Sequence, residues 1–120
     1  MIKIFNSIEE IKKYYNKYNN TYIFKENGEY IQLVTLNFDL DVKANINAWN
    51  INAGGDIKAH NIDAKDIKSG NIKAGNINAD NIDYLSTCTA TNSIRCKSIA
   101  GRKKNAKHTV LDGTLEVIEW

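Results

Sequence analysis

Between Asp41 and Leu85 the chain repeats itself every five residues, and few folds tolerate that period. From Asn61 it reads Asn-Ile-Asp-Ala-Lys, Asp-Ile-Lys-Ser-Gly, Asn-Ile-Lys-Ala-Gly, Asn-Ile-Asn-Ala-Asp, Asn-Ile-Asp-Tyr-Leu. The large apolar positions are Val42, Ile46, Ile51, Ile57, Ile62, Ile67, Ile72, Ile77 and Ile82. Two places after each stands a small residue (Ala44, Ala48, Ala53, Ala59, Ala64, Ser69, Ala74, Ala79) until Tyr84 breaks the rule. A helix repeats about every 3.6 residues and a strand about every 2.0, so neither fits. The large and small members of one repeat do share a face of a short extended piece. The next large residue comes three places later, so the chain must turn a corner between pieces. Short strands separated by regular corners wind around a filled interior.

These Asn/Asp-Ile-x-Ala-x runs resemble pentapeptide-repeat proteins over about 45 residues. The resemblance implies a right-handed four-sided β-helix with four repeats per coil. Stacking would then place Val42, Ile62 and Ile82 in one column, Ile46 with Ile67, Ile51 with Ile72, and Ile57 with Ile77. In that family the small inward residue stands two before the large one, whereas here it stands two after, so a square and a triangular cross-section both stay open. The Asn and Asp residues ahead of each Ile suit corners, because their side chains bond nearby backbone and form ladders between layers.

The length of 120 residues suits one domain. We divide it into an N-terminal cap over 1–36, a solenoid over 37–101, and a basic loop with a C-terminal hairpin over 102–120. The expected class is mainly β, a short right-handed β-solenoid of two to three coils. There is no proline and a quarter of the residues are charged, which marks neither linker nor disordered tail. Without an apolar run long enough for a membrane or a signal peptide, the expected location is cytoplasmic. The net charge of +2 is C-terminal: residues 86–120 hold six basic and three acidic side chains, whereas 41–85 hold five and six.

Ahead of the repeats, Ser7-Ile8-Glu9-Glu10 has the form of a capping box. Ile8, Ile11, Tyr15 and Tyr18 follow at helical spacing, predicting an amphipathic helix over 8–18 with Tyr14 beside the apolar stripe. Asn27-Gly28 between β-rich runs over 21–26 and 29–34 predicts a hairpin. After Tyr84, the pairs Cys88/Ala90, Ile94/Cys96 and Ile99/Gly101 keep the two-residue offset and predict a degenerate coil over 86–101. Asp112-Gly113 between 108–111 and 114–118 predicts a second hairpin that, with Trp120, seals the far end.

Chemistry-bearing patterns are sparse. Cys88 and Cys96 stand eight apart on the inward phase, so they read as core thiols rather than metal ligands or a disulfide. No phosphate loop, nucleophile elbow or zinc-helix motif occurs, and no cofactor or catalysis is expected. The basic residues Arg102, Lys103, Lys104 and Lys107, with Lys73, Arg95 and Lys97, are the candidate binding set for a protein or for nucleic-acid phosphate. Small chains that resemble pentapeptide-repeat proteins act as inhibitors of nucleic-acid-handling enzymes. The resemblance therefore implies a non-catalytic protein-binding module, an inhibitor of anti-CRISPR or topoisomerase-blocking type. Direct DNA or RNA binding through the basic loop, and end-to-end self-assembly of solenoid units, are the alternatives.

Overall fold

The computed structural model describes residues 2–118. Parallel strand pairing runs through them as a β-solenoid of about five turns, and each turn has three faces. On the first face Val34, Ile51, Ile67, Ile82 and Ile99 stack in register. On the second, Leu40, Ile57, Ile72, Cys88 and His108 stack. On the third, Tyr22, Ile46, Ile62, Ile77, Ile94 and Leu115 stack. Ile57 and Ile72, Ile62 and Ile77, Ile67 and Ile82 are each fifteen positions apart, which is three repeats.

The expected columns twenty residues apart are therefore wrong, and so is the count of two to three coils. Three repeats close a coil, so the same stretch of chain makes more coils. Each repeat contributes one isoleucine and one small residue to the interior. Three such faces bring the isoleucines together at the axis. The interior is apolar and continuous: Ile46, Ile57, Ile62, Ile72, Ile77 and Tyr84 are all about fully buried, as are Cys88, Ile94 and Cys96. Val42 is not the large member of a repeat. Its amide donates to Lys58 O (2.9 Å) in the column of Ala59 and Ala74, so it fills the small slot behind Leu40.

The corners are held by the predicted Asn ladder. Asn61 Nδ2 donates to Asn45 Oδ1 (2.9 Å), Asn76 Nδ2 to Asn61 Oδ1 (2.9 Å), and Ser93 Oγ to Asn76 Oδ1 (2.8 Å). A second corner works through the backbone: Asp39 Oδ1 accepts from Asp56 N–H (2.9 Å), and Asp56 Oδ1 from Asn71 N–H (2.7 Å). Each side chain satisfies a polar group of the next coil, which fixes the register of the stack.

Both ends depart from expectation. Residues 8–14 form a 3-10 helix instead of an α-helix, so its apolar face has a period of three. Ile8, Ile11 and Tyr14 face the core, and Tyr18 is exposed. The capping box is not made: the Ser7 side chain caps nothing, and Glu10 accepts from the N–H of Asn6 (2.7 Å), one residue ahead of the cap. Phe5, Tyr14 and Phe24 pack ring to ring with centroids 5.3–6.1 Å apart. With Ile11 and Ile31 they belong to the same buried cluster as the coils. The Asn27-Gly28 turn forms as predicted, with φ of 52° and 81°, but its strands are the short pairs Lys25–Glu26 and Glu29–Tyr30. The flanking segments join the solenoid instead, Thr21–Ile23 on Asn45–Asn47 and Leu33–Leu36 on Ile51–Ala53.

The second hairpin does not exist. Lys107–Val110 and Thr114–Val117 both run parallel to the strand at Thr87–Cys96, as consecutive sides of the last coil. Asp112-Gly113 is the corner between them. A Cβ on Gly113 would lie 1.7 Å from Asn92 O, so glycine stands there for close stacking and not for a left-handed turn. Trp120 lies outside the described residues. Among those residues no helix is long and apolar enough to cross a membrane.

Candidate binding surfaces

With the interior filled by side chains, function falls to the outside of the coils and to the two ends. The seven basic candidates do not form one patch. Arg95 points from the third face, with Nε 3.9 Å from Glu116 Oε2. Lys97, at the corner between the third and first faces, places Nζ 3.4 Å from Asp80 Oδ2. Arg102 is a structural clamp. Nη1 donates to Asp83 Oδ1 (2.8 Å) and Nη2 donates to the Ser69 carbonyl, so one guanidinium ties three successive coils.

Lys73, Lys103, Lys104 and Lys107 behave differently. All four are exposed, and none takes part in an ion pair among the described residues. They lie on or beside the second face. Its outward row, in register, is Asp41, Lys58, Lys73, Thr89 and Thr109. Beside it, where the second face turns into the third, an open groove of about 460 Å³ is lined by Lys58, His60, Lys73, Gly75, Asn76 and Asn92. Lys58 was not among the sequence candidates. A stacking interval of fifteen would have placed it directly under Lys73; an interval of twenty did not.

The C-terminal end is the second distinctive surface. Leu115 and Val117 occupy the inward phase of the last coil, yet they are 39% and 51% exposed, and Leu111 at the adjoining corner is 64% exposed. Ile118 N–H donates back to Cys96 O (2.7 Å). Strand alternation then aims the Leu115 and Val117 amides off the end of the solenoid. Among the described residues no strand pairs with that outer edge. At the same end Tyr84 OH lies 2.8 Å from His108 Nδ1, with the two rings edge to face.

A third feature, also missed, is aromatic. Trp49 is half-exposed, with the Tyr30 ring 6.2 Å away and Lys65 Nζ 5.1 Å from its centroid. The Tyr30 hydroxyl donates to Asn47 Oδ1 (3.0 Å), and Lys25 Nζ lies 4.4 Å over its ring. Trp49 and Tyr30 thus each already carry a lysine, a cation–π arrangement internal to the chain.

The thiols are quiet. Burial pushes Cys88 up to about 12, with the neighbouring Cys96 adding to the effect, and burial raises Cys96 as well. Both are fully enclosed by coils above and below. Among the described residues no three His, Cys, Asp or Glu side chains converge as metal ligands. Known protein families, curated proteins and solved structures give no match to this chain.

Proposed function

We propose that the chain is a non-catalytic protein-binding module, a right-handed three-faced β-solenoid that docks its partner by strand addition at the C-terminal end. The observation that supports this is the difference between the two ends. At the front, Phe5, Ile11, Tyr14, Phe24 and Ile31 are buried, and the exposed Ile2 and Ile4 of the edge strand Ile2–Phe5 lie on its outward phase. At the back, Leu115 and Val117 of the same inward phase are exposed beside a strand edge that is unpaired among the described residues. An open edge with an apolar phase accepts an extended segment, whose backbone supplies hydrogen bonds while alternate side chains enter the exposed slots. In the sharper form of this reading the partner belongs to a nucleic-acid-handling complex, and the module blocks it. The same end would also accept a second copy of the chain, which is the self-assembly alternative.

Val117→Pro tests the docking. Proline there removes an amide aimed off the end and leaves the bonds to the preceding coil in place. Immobilised wild-type chain should retain a defined protein from a lysate of the producing cell, and the Val117→Pro chain, equally folded by circular dichroism, should not. Retention of the same protein by both variants would refute docking at this edge. A sedimentation series on the purified chain decides whether the occupant is a second copy.

A further inference from the structure

We propose that the second face is a contact surface for the phosphodiester backbone of nucleic acid, read without regard to sequence. This rests on a different surface from the docking end and on a separate observation, the segregation of charge along one flat face.

The acidic residues of the outward and preceding rows, Asp39, Asp41 and Asp56, all belong to the first two coils. From Lys73 onward the outward row is Lys73, Thr89 and Thr109, and the preceding row is Asn71, Thr87 and Lys107. Those positions offer cations, hydroxyls and amides but no carboxylate. Lys58 and Lys73 are direct partners in the parallel ladder, so their ammonium groups stand one strand spacing apart, about 4.8 Å at the backbone. Neither meets a carboxylate at ion-pair distance among the described residues. On the other faces Arg95 is paired with Glu116, Lys97 with Asp80 and Arg102 with Asp83, and Lys68, without an ion pair among the described residues, stands in register beside Asp83.

Geometry favours a linear anion over a compact one. From Lys58 to Thr109 the row crosses three coil spacings, roughly 14 Å. A duplex strand presents a phosphate about every 3.4 Å of axis, so the row matches about four phosphates. Lys107 and the corner lysines Lys103 and Lys104 extend the positive field at its upper end. Gly75 keeps the adjoining groove open, because a Cβ there would lie 2.7 Å from His60 O and any side chain would fill the depression. Asn92, at the groove's end, has no hydrogen-bond partner for its amide among the described residues and is free to donate to a phosphate oxygen. No Phe, Tyr or Trp lies in the groove or in these rows, where His60 supplies the one ring among the described residues, so stacking is limited to a single imidazole and the contact is chiefly to backbone.

The test is fluorescence anisotropy with a labelled mixed-sequence DNA duplex, the matching single strand and the matching RNA, across a salt series starting near 20 mM. Wild type should bind at low salt with little preference among sequences and with a steep negative salt dependence. The Lys58→Ala/Lys73→Ala/Lys107→Ala triple variant should flatten the log–log salt slope by about 3 and weaken binding at least about tenfold. Lys17→Ala/Lys25→Ala/Lys65→Ala, with the same net charge, should bind like wild type. Absence of binding at the lowest salt would overturn the proposal. So would an equal loss in the two triple variants, which would reduce the effect to net charge. Equal affinity for polyglutamate of matched charge would overturn the assignment to phosphodiester. The docking test is read with Val117→Pro, so each proposal can fail without the other.

Discussion

The isoleucine–small pair fixes what a single residue can do in this chain, and Cys88 and Cys96 show the rule where the consensus has lapsed. Cys88 stacks on Ile72 in a large slot, and Cys96 follows Ile94 in a small one. A buried thiol loses the solvation its thiolate needs, which is why burial leads the causes that push Cys88 up to about 12. Reaction with a thiol reagent requires the thiolate. Native protein at pH 8 should therefore leave both cysteines unmodified for hours, and denatured protein should react at both within minutes. Mass spectrometry of iodoacetamide-treated samples reads this directly. Rapid native labelling of either cysteine would mean that the coil over 87–96 is not closed. Their inward phase was legible from the two-residue offset alone. Arg102 was not, because a basic residue in a basic run looks the same whether it faces solvent or clamps Asp83 and the Ser69 carbonyl.

At the scale of elements, the same dipeptide signal led to one right and one wrong reading for a definite reason. Asn27-Gly28 turns with both residues at positive φ, which glycine and asparagine tolerate. Gly113 is not in that region; what selects it is the carbonyl of Asn92 directly below. Close approach and left-handed turning call for the same residue, and only the stacked neighbour tells them apart. The 3-10 helix was hidden in a similar way. Ile8, Ile11 and Tyr14 have a period of three, but Tyr15 and Tyr18 also complete a helical stripe, and the stripe of the longer helix lost to the shorter turn. That N-terminal segment is joined to the hairpin through Glu26, which accepts from the Tyr14 hydroxyl and lies 3.2 Å from Lys3 Nζ and 3.6 Å from Lys13 Nζ. The Tyr14 hydrogen bond, then the Lys3 contact, hold the Glu26 carboxyl below its ordinary range. A carboxyl with a lowered folded value stabilises the fold above its unfolded value and loses that contribution as pH falls through the folded one. Stability should thus decline from about pH 5 downward. Glu26→Gln should be less stable than wild type at pH 7 and show a flatter acid limb in melting temperature. Parallel acid limbs would mean that the carboxylate does not hold the segment together.

For the whole molecule, a solenoid is nearly one-dimensional: each coil is stabilised by its neighbours, so an end coil with one neighbour opens most easily. The asymmetry between the two ends then has a dynamic consequence. Coils two to four have neighbours on both sides. The first coil has the Phe5, Tyr14 and Phe24 cluster before it, whereas the last coil, among the described residues, has nothing beyond it. Two amides report on that last coil although both are hydrogen-bonded, Leu111 to Ala90 O (2.9 Å) and Ile118 to Cys96 O (2.7 Å). Ala48 and Ala64 are bonded to the coil after them, each at 3.0 Å, and report on the interior. In dilute protein the Leu111 and Ile118 amides should exchange with solvent at least about a hundredfold faster than those of Ala48 and Ala64, since local opening at an end needs far less free energy than global unfolding. A partner seated on the C-terminal edge supplies the missing neighbour and should slow exchange there selectively. Equal protection at all four amides in the isolated chain would show that the last coil is already sealed, and the docking proposal would then lose the observation that supports it.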